Sequence, residues 1–156
     1  MENYIWLKYI HVISATVIFG TGLGTAFQMW MAHRTGNTQA IAVVARQVVR
    51  ADWLFTTPAV VIQPVTGALL AHIVGYGPGD VWLEASVLLY GFAGVCWLPV
   101  VWLQIRMRNL ATAAAACGKP LPAAYHTAAR WWFILGWPAF GAVLVIFHLM
   151  ISRPPL

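Results

Sequence analysis

Apolar and polar positions in this chain change over on a scale of some twenty residues. Four long apolar runs, Tyr4–Met31, Trp53–Ile73, Leu83–Ile105 and Ala129–Ser152, are separated by polar stretches. A helix needs about 20 apolar residues to cross about 30 Å of hydrocarbon, so each run predicts a membrane span. Pro58 and Pro64, Pro99, and Pro138 fall inside runs two, three and four. Lipid-spanning helices tolerate such breaks because neighbouring helices re-satisfy the freed backbone groups, and kinks are expected at these points. The first run follows Met1-Glu2-Asn3, which has no basic side chain. It is also longer than the roughly 7–15-residue apolar core of a cleavable signal, and it reads as a retained span.

The polar stretches differ in kind. Gln39–Arg50 (QAIAVVARQVVR) alternates apolar and basic positions at helical spacing, which predicts a helix leading into span two. Ala111–Ala116 extends span three until CGKPLP at Cys117–Pro122 stops it. Between spans two and three stands GYGPGD, a tight turn. The expected architecture is all-α, an integral-membrane four-helix bundle of up-down topology filling a single domain, residues 1–156. The chain shows no internal repeat and no low-complexity tract.

Charge then orients the bundle. Of nine Lys and Arg residues, seven (Arg34, Arg46, Arg50, Arg106, Arg108, Lys119 and Arg130) lie between spans one and two or three and four or at the first edge of span four, and none lies in GYGPGD. The positive-inside rule makes that side cytoplasmic and puts both termini on the non-cytoplasmic side. Trp6 and Trp82 then mark the outer interface, and Trp30, Trp53, Trp131 and Trp132 the inner one. The expected location is a bacterial inner membrane, crossed several times. Composition agrees, with 61% hydrophobic and only 8% charged residues, where a soluble domain carries about 25% charged. The net charge of +5 gathers at span ends, which argues for lipid headgroups and against nucleic acid. Cys96 and Cys117 make no disulfide framework, and Cys96 reads as a small core residue.

Ionisable groups inside lipid are costly and usually face a partner or a cavity. The register of span one puts Lys8, His11, Ala15, Ile18, Gly22 and Thr25 on one small, partly polar face, while Gly20 and Gly24 form a GxxxG packing pair. Lys8 is near enough to the interface to snorkel. His33 and His126 read as interfacial residues among arginines. His11, His72 and His148 come from three different spans yet fall at one depth, in the outer leaflet. Imidazoles on separate helices of a bundle can clamp a haem, and no CxxCH is present, so such a haem is b-type. His11 is the first choice of iron ligand, His148 and His72 compete for the opposite side, and Lys8 would meet a propionate. The same three histidines suit zinc or copper less well, because no carboxylate or thiol lies close by. Each also has a plain structural reading, capping a span end or bonding a carbonyl. Gln63 needs a partner at mid-depth; with Thr56, Thr57 and Thr66 it either lines a polar path or bonds a neighbouring helix. GxSxG, HExxH and phosphate-binding loops are absent, and carboxylates are too few for paired acid and base work. Any enzymatic activity therefore has to be redox chemistry run by a bound cofactor.

WLKYIH at Trp6–His11 resembles the WxKxxH of the first helix of the HemJ-type protoporphyrinogen oxidases. TTPAVVIQPVTGALLA at Thr56–Ala71 resembles their second helix, and the stretch from Arg130 through Pro138 to Pro154 is similar in outline to the fourth. The chain also resembles an uncharacterised group of small predicted integral-membrane proteins. The first resemblance implies a four-helix membrane protein with b-type haem, carries His11 over as an axial ligand, and implies oxidation of protoporphyrinogen. The third helix of that family carries a lysine and a histidine. Here WLEASVLLYGFAGVCW has neither, with Ser86 near the lysine position, so haem binding through His11 with His72 or His148 is the expectation that carries forward.

Two functions follow as expectations. One is a haem-b membrane protein in electron transfer or a HemJ-like oxidation, with a quinone or a porphyrin as partner. The other is a non-catalytic membrane subunit or small transporter without haem, working through its helix surfaces. Four helices bury limited area, and a homodimer fits either.

Overall fold

The computed structural model describes residues 2–153; Met1 and residues 154–156, among them the Pro154 that closes the family resemblance, lie outside the described residues. These residues fold into α1 (Glu2–Thr35), α2 (Thr38–Ala51), α3 (Thr57–Val74), α4 (Val81–Ala116) and α5 (Ala123–Ser152). A π turn at Asp52–Thr56 joins α2 to α3 without a break, so that the segment Thr38–Val74 is one helix. Four helices are thus long and apolar enough to cross a membrane, as the four runs require. Each helix outlasts its apolar run, and α4 continues to Ala116 as expected.

Local chemistry sets the breaks. Asn37 caps α2, its side chain accepting from the N–H groups of Gln39 and Ala40. Gly75 ends α3 at φ 87°, and the Tyr76 N–H returns to the Ala71 carbonyl 2.9 Å away. The GYGPGD turn is pinned by two carboxylates. Asp80 accepts from the Gly77 N–H at 2.8 Å and Glu84 from the Gly79 N–H at 3.0 Å. Arg153, at the end of α5, reaches this turn and donates to the Tyr76 hydroxyl at 3.1 Å. The π turn has a cause as well. Pro58 lacks an N–H and its ring crowds the preceding turn, and the Thr57 N–H bonds the Asp52 carbonyl five residues back.

The tight core lies at the α2 end of the molecule. Ile41, Ala42, Ala45 and Val48 of α2 pack against Met29 and Ala32 of α1, Leu103, Met107 and Ala111 of α4, and Tyr125, Ala128 and Trp132 of α5. The alanines let the axes approach, and Met29, Val48, Met107 and Tyr125 fill what is left, each less than 2% exposed. Burying such side chains contributes roughly 1.5–3 kcal/mol apiece. At the other end the helices part into two pairs, α1 with α3 and α4 with α5; α1 and α5 touch little, and α3 and α4 scarcely meet. Tyr90 links the pairs by donating its hydroxyl to the Val60 carbonyl at 2.6 Å. Residues such as Leu88 (74% exposed) and Ile151 (84%) have no protein cover, as suits a face turned to lipid.

The GxxxG expectation fares differently. A Cβ built on Gly20 or on Gly24 meets nothing within 4 Å. The seam of α1 runs through Ser14, Met29 and Ala32, its buried residues, on another side of the helix.

Candidate functional site

Two polar sites sit within the helices. The first lies between α1 and α3. Nδ1 of His11 is 2.9 Å from Oγ1 of Thr66, whose own hydrogen goes to the Ile62 carbonyl at 2.8 Å. The threonine oxygen is therefore left to accept, which places the ring proton on Nδ1 and the lone pair on Nε2. Nε2 of Gln63 donates to that lone pair across 3.2 Å, and Oε1 of Gln63 accepts from the Ser14 hydroxyl. Gln63 thus bonds a neighbouring helix, one of its two expected uses. Gly67 leaves room for the imidazole.

The other sequence candidates do not join this cluster. His72 and His148 are exposed, and so is Lys8. Among the described residues no group of three or more His, Cys, Asp or Glu side chains is placed to hold a metal ion. Of the three expected ligands, His72 and His148 thus stand exposed, and His11 is the one hydrogen-bonded to a neighbouring helix. Both ring nitrogens of His11 are hydrogen-bonded, Nδ1 to Thr66 and Nε2 to Gln63, so a metal at Nε2 would have to displace the Gln63 amide. His33 sits apart, half-buried beside the core and 2.6 Å from the Tyr125 hydroxyl, and His126 is exposed.

The second site is a cleft of about 250 Å³ between the two helix pairs. Ile18, Phe19, Gly22 and Ala26 of α1 face Gly94 and Trp97 of α4 and Gly136, Trp137 and Phe140 of α5. A Cβ on Gly22, Gly94 or Gly136 would meet no atom within 4 Å, so these glycines border open space. Between Tyr90 and Gln104 the wall of α4 runs for roughly 21 Å at 1.5 Å per residue. At one end Phe19 stacks on Phe140, ring centroids 4.7 Å apart. The other end, toward α2, is polar: Asp52, Thr56, Gln104 and Trp132 all contribute to the wall.

Those four side chains form a chain with one loose end. Trp132 Nε1 donates to Gln104 Oε1 at 3.3 Å, and Gln104 Nε2 donates to the Asp52 carboxylate. Asp52 is only 7% exposed. Thr56, one turn on, lies close to that carboxylate but outside hydrogen-bonding geometry. Its Oγ1 is the one buried side-chain polar atom without a partner among the described residues. Thr16, Thr25, Thr66 and Ser86 all return their hydroxyls to a carbonyl one turn back. Thr56 sits in the π turn, where that register is lost. π turns are often found at functional sites for this reason.

Sequence reasoning grouped Thr56 with Gln63 and Thr66, and the structure divides them between the two sites. It passed over Asp52, Gln104 and Trp132 as site residues. The available signal was the scarcity of acid. Asp52 is one of four carboxylate side chains in the chain, stands at the very start of an apolar run, and has a Thr four residues on.

Four apolar helices, lipid-facing outer surfaces and polar groups turned inward define a multi-pass integral membrane protein. The family comparison agrees: the chain belongs to the family described as predicted integral membrane protein (DUF2269), whose model matches residues 5–154. No curated protein and no solved structure matches it.

Proposed function

We propose that this protein holds an elongated, mostly apolar molecule within the membrane, in the cleft between its two helix pairs. The observation that carries this reading is the polar end of that cleft, where a buried carboxylate and an unpartnered hydroxyl lie beside aromatic and small residues. Concave apolar sites with a few convergent polar groups are the usual form of a small-molecule site. An ionisable group held at membrane depth costs energy that function has to justify. The basic residues Arg34, Arg46, Arg50, Arg106, Arg108, Lys119 and Arg130 cluster toward the α2 end, which this reading places at the cytoplasmic face of a bacterial inner membrane. The test is quenching of tryptophan emission in the detergent-purified protein by 1-bromododecane. Trp97, Trp132 and Trp137 line the cleft, so quenching should saturate in the natural protein and weaken in Gly94→Leu and Gly136→Leu. Equal, unsaturable quenching in all three proteins would dispose of the proposal.

A second reading keeps b-type haem and redox chemistry, as in the HemJ-type resemblance. What supports it is the imidazole of His11, oriented through Nδ1 by Thr66 in the manner of a metal ligand. Gln63 would have to release Nε2, and His72 or His148 would complete the axial pair only by turning inward or by coming from a second copy of the chain. When bound, the haem would supply one-electron chemistry. A Soret band in the haem-loaded protein, lost in His11→Ala and kept in Lys8→Ala, is the expected result under this reading; no band after loading removes it.

A further inference from the structure

The groups at the polar end of the cleft narrow what it binds. The Gln104 amide is oriented from both sides, donating one N–H to Asp52 and accepting from Trp132. Beside it the Asp52 carboxylate keeps acceptor capacity, and the Thr56 hydroxyl one helical turn away has no partner. The pair offers one carboxyl acceptor and one hydroxyl able to donate. A hydroxyl matches both at once, donating to Asp52 and accepting from Thr56. A carboxylate or phosphate ligand meets like charge at Asp52. A quinone or other carbonyl has no hydrogen for Asp52, while an ammonium can donate to both groups and is told apart from a hydroxyl by an amine probe.

The walls narrow it again. Trp132 stands at the polar end with Phe133 against it, ring centroids 5.1 Å apart, and both border the cleft. Aromatic faces suit a flat ring at offset or edge contact. Farther along, Gly22, Gly94 and Gly136 leave a narrow path toward the Phe19–Phe140 pair, a shape for an apolar chain.

From this, and resting on the reading of the cleft as a binding site, we infer that the ligand is an amphiphile whose head is a ring-borne hydroxyl, a phenol or hydroquinol, seated between Asp52 and Thr56 with its apolar tail in the cleft. The assignment concerns binding alone.

The test uses two probes of nearly equal size, 4-decylphenol and 4-decylanisole, titrated into the detergent-purified full chain with tryptophan emission as the readout. The natural protein should bind the phenol at least tenfold more tightly than the anisole. Thr56→Val and Asp52→Asn should each weaken the phenol at least fivefold and leave the anisole unchanged, while Thr56→Ser restores the phenol. Monodisperse elution and unchanged far-ultraviolet dichroism identify the variants that fold. Equal affinity for phenol and anisole, or tighter binding of dodecylamine than of the phenol, overturns the hydroxyl assignment and leaves the cleft reading standing. No saturable binding of any probe, or binding untouched by Gly94→Leu and Gly136→Leu, overturns the cleft reading and the assignment with it.

Discussion

Gly67 on α3 lies against the ring of His11 on α1, so that a Cβ built on the glycine would stand 3.2 Å from Cε1 and 3.8 Å from Nδ1. The ring has little freedom to retreat, because Thr66 and Gln63 hold its two nitrogens. Gly67→Ala should therefore lose stability, by about 1 kcal/mol or somewhat more, since overpacking costs roughly 1–3 kcal/mol and helix propensity returns only part of it. Gly20→Ala, with nothing near its Cβ, should be neutral or gain up to about 1 kcal/mol. Because the two residues touch, His11→Ala combined with Gly67→Ala should cost less than the sum of the two single changes. Unfolding in mixed SDS micelles measures each.

The Asp52–Gln104 pair makes a different prediction, because removing one partner of a buried polar pair costs more than removing both. Gln104→Leu strands the carboxylate and should cost on the order of 3 kcal/mol. Asp52→Asn keeps a neutral acceptor for the Gln104 amide and should cost about 1 kcal/mol. Asp52→Leu combined with Gln104→Leu should be milder than Gln104→Leu alone. Thermal unfolding in one detergent ranks the variants, and a double variant worse than the sum of its parts would contradict the pairing.

Two tyrosines should respond unequally to loss of the hydroxyl. Tyr125 is fully buried in the core; its oxygen meets His33 Nε2 at 2.6 Å and its hydrogen points to the Met29 sulfur at 3.8 Å. Tyr125→Phe leaves the histidine nitrogen unpaired and should cost about 1–3 kcal/mol. Tyr90→Phe removes the bond to the Val60 carbonyl that ties the two helix pairs together. It should cost about 1 kcal/mol yet raise hydrogen exchange around residues 57–66 and 86–94 while sparing α2. Hydrogen exchange followed by mass spectrometry separates the two patterns.

The helices themselves are legible in the sequence because lipid imposes a length and a composition that nothing else produces over 156 residues. Their ends are legible because Asn37, Gly75 and the Gly118–Pro122 stretch carry unambiguous stop and start chemistry. Direction around each helix is not. One residue turns the face by about 100°, and a helix with lipid on one side and protein on the other has little contrast between them. Depth put His11, His72 and His148 in one layer, but only His11 turns toward a neighbouring helix. The cleft escapes sequence reading for a related reason. Gly22, Gly94 and Gly136 are the residue type that brings helices together, and here they border a gap instead.

Orientation in the membrane is open to a test that uses the natural thiols. The chain has two thiols: Cys96 is buried in the midst of α4, and Cys117 is exposed where α4 ends, at the α2 end of the bundle. A membrane-impermeant maleimide should therefore report Cys117 alone. The proposed orientation, with the basic end toward the cytoplasm, rests on the positive-inside rule. Intact spheroplasts should stay unlabelled, while inverted vesicles should take up about one equivalent, abolished in Cys117→Ser and retained in Cys96→Ala. Labelling of intact spheroplasts would put the α2 end, and with it the Asp52–Thr56 end of the cleft, on the opposite face. The charge asymmetry of the connecting segments would then have to be explained by something other than topology.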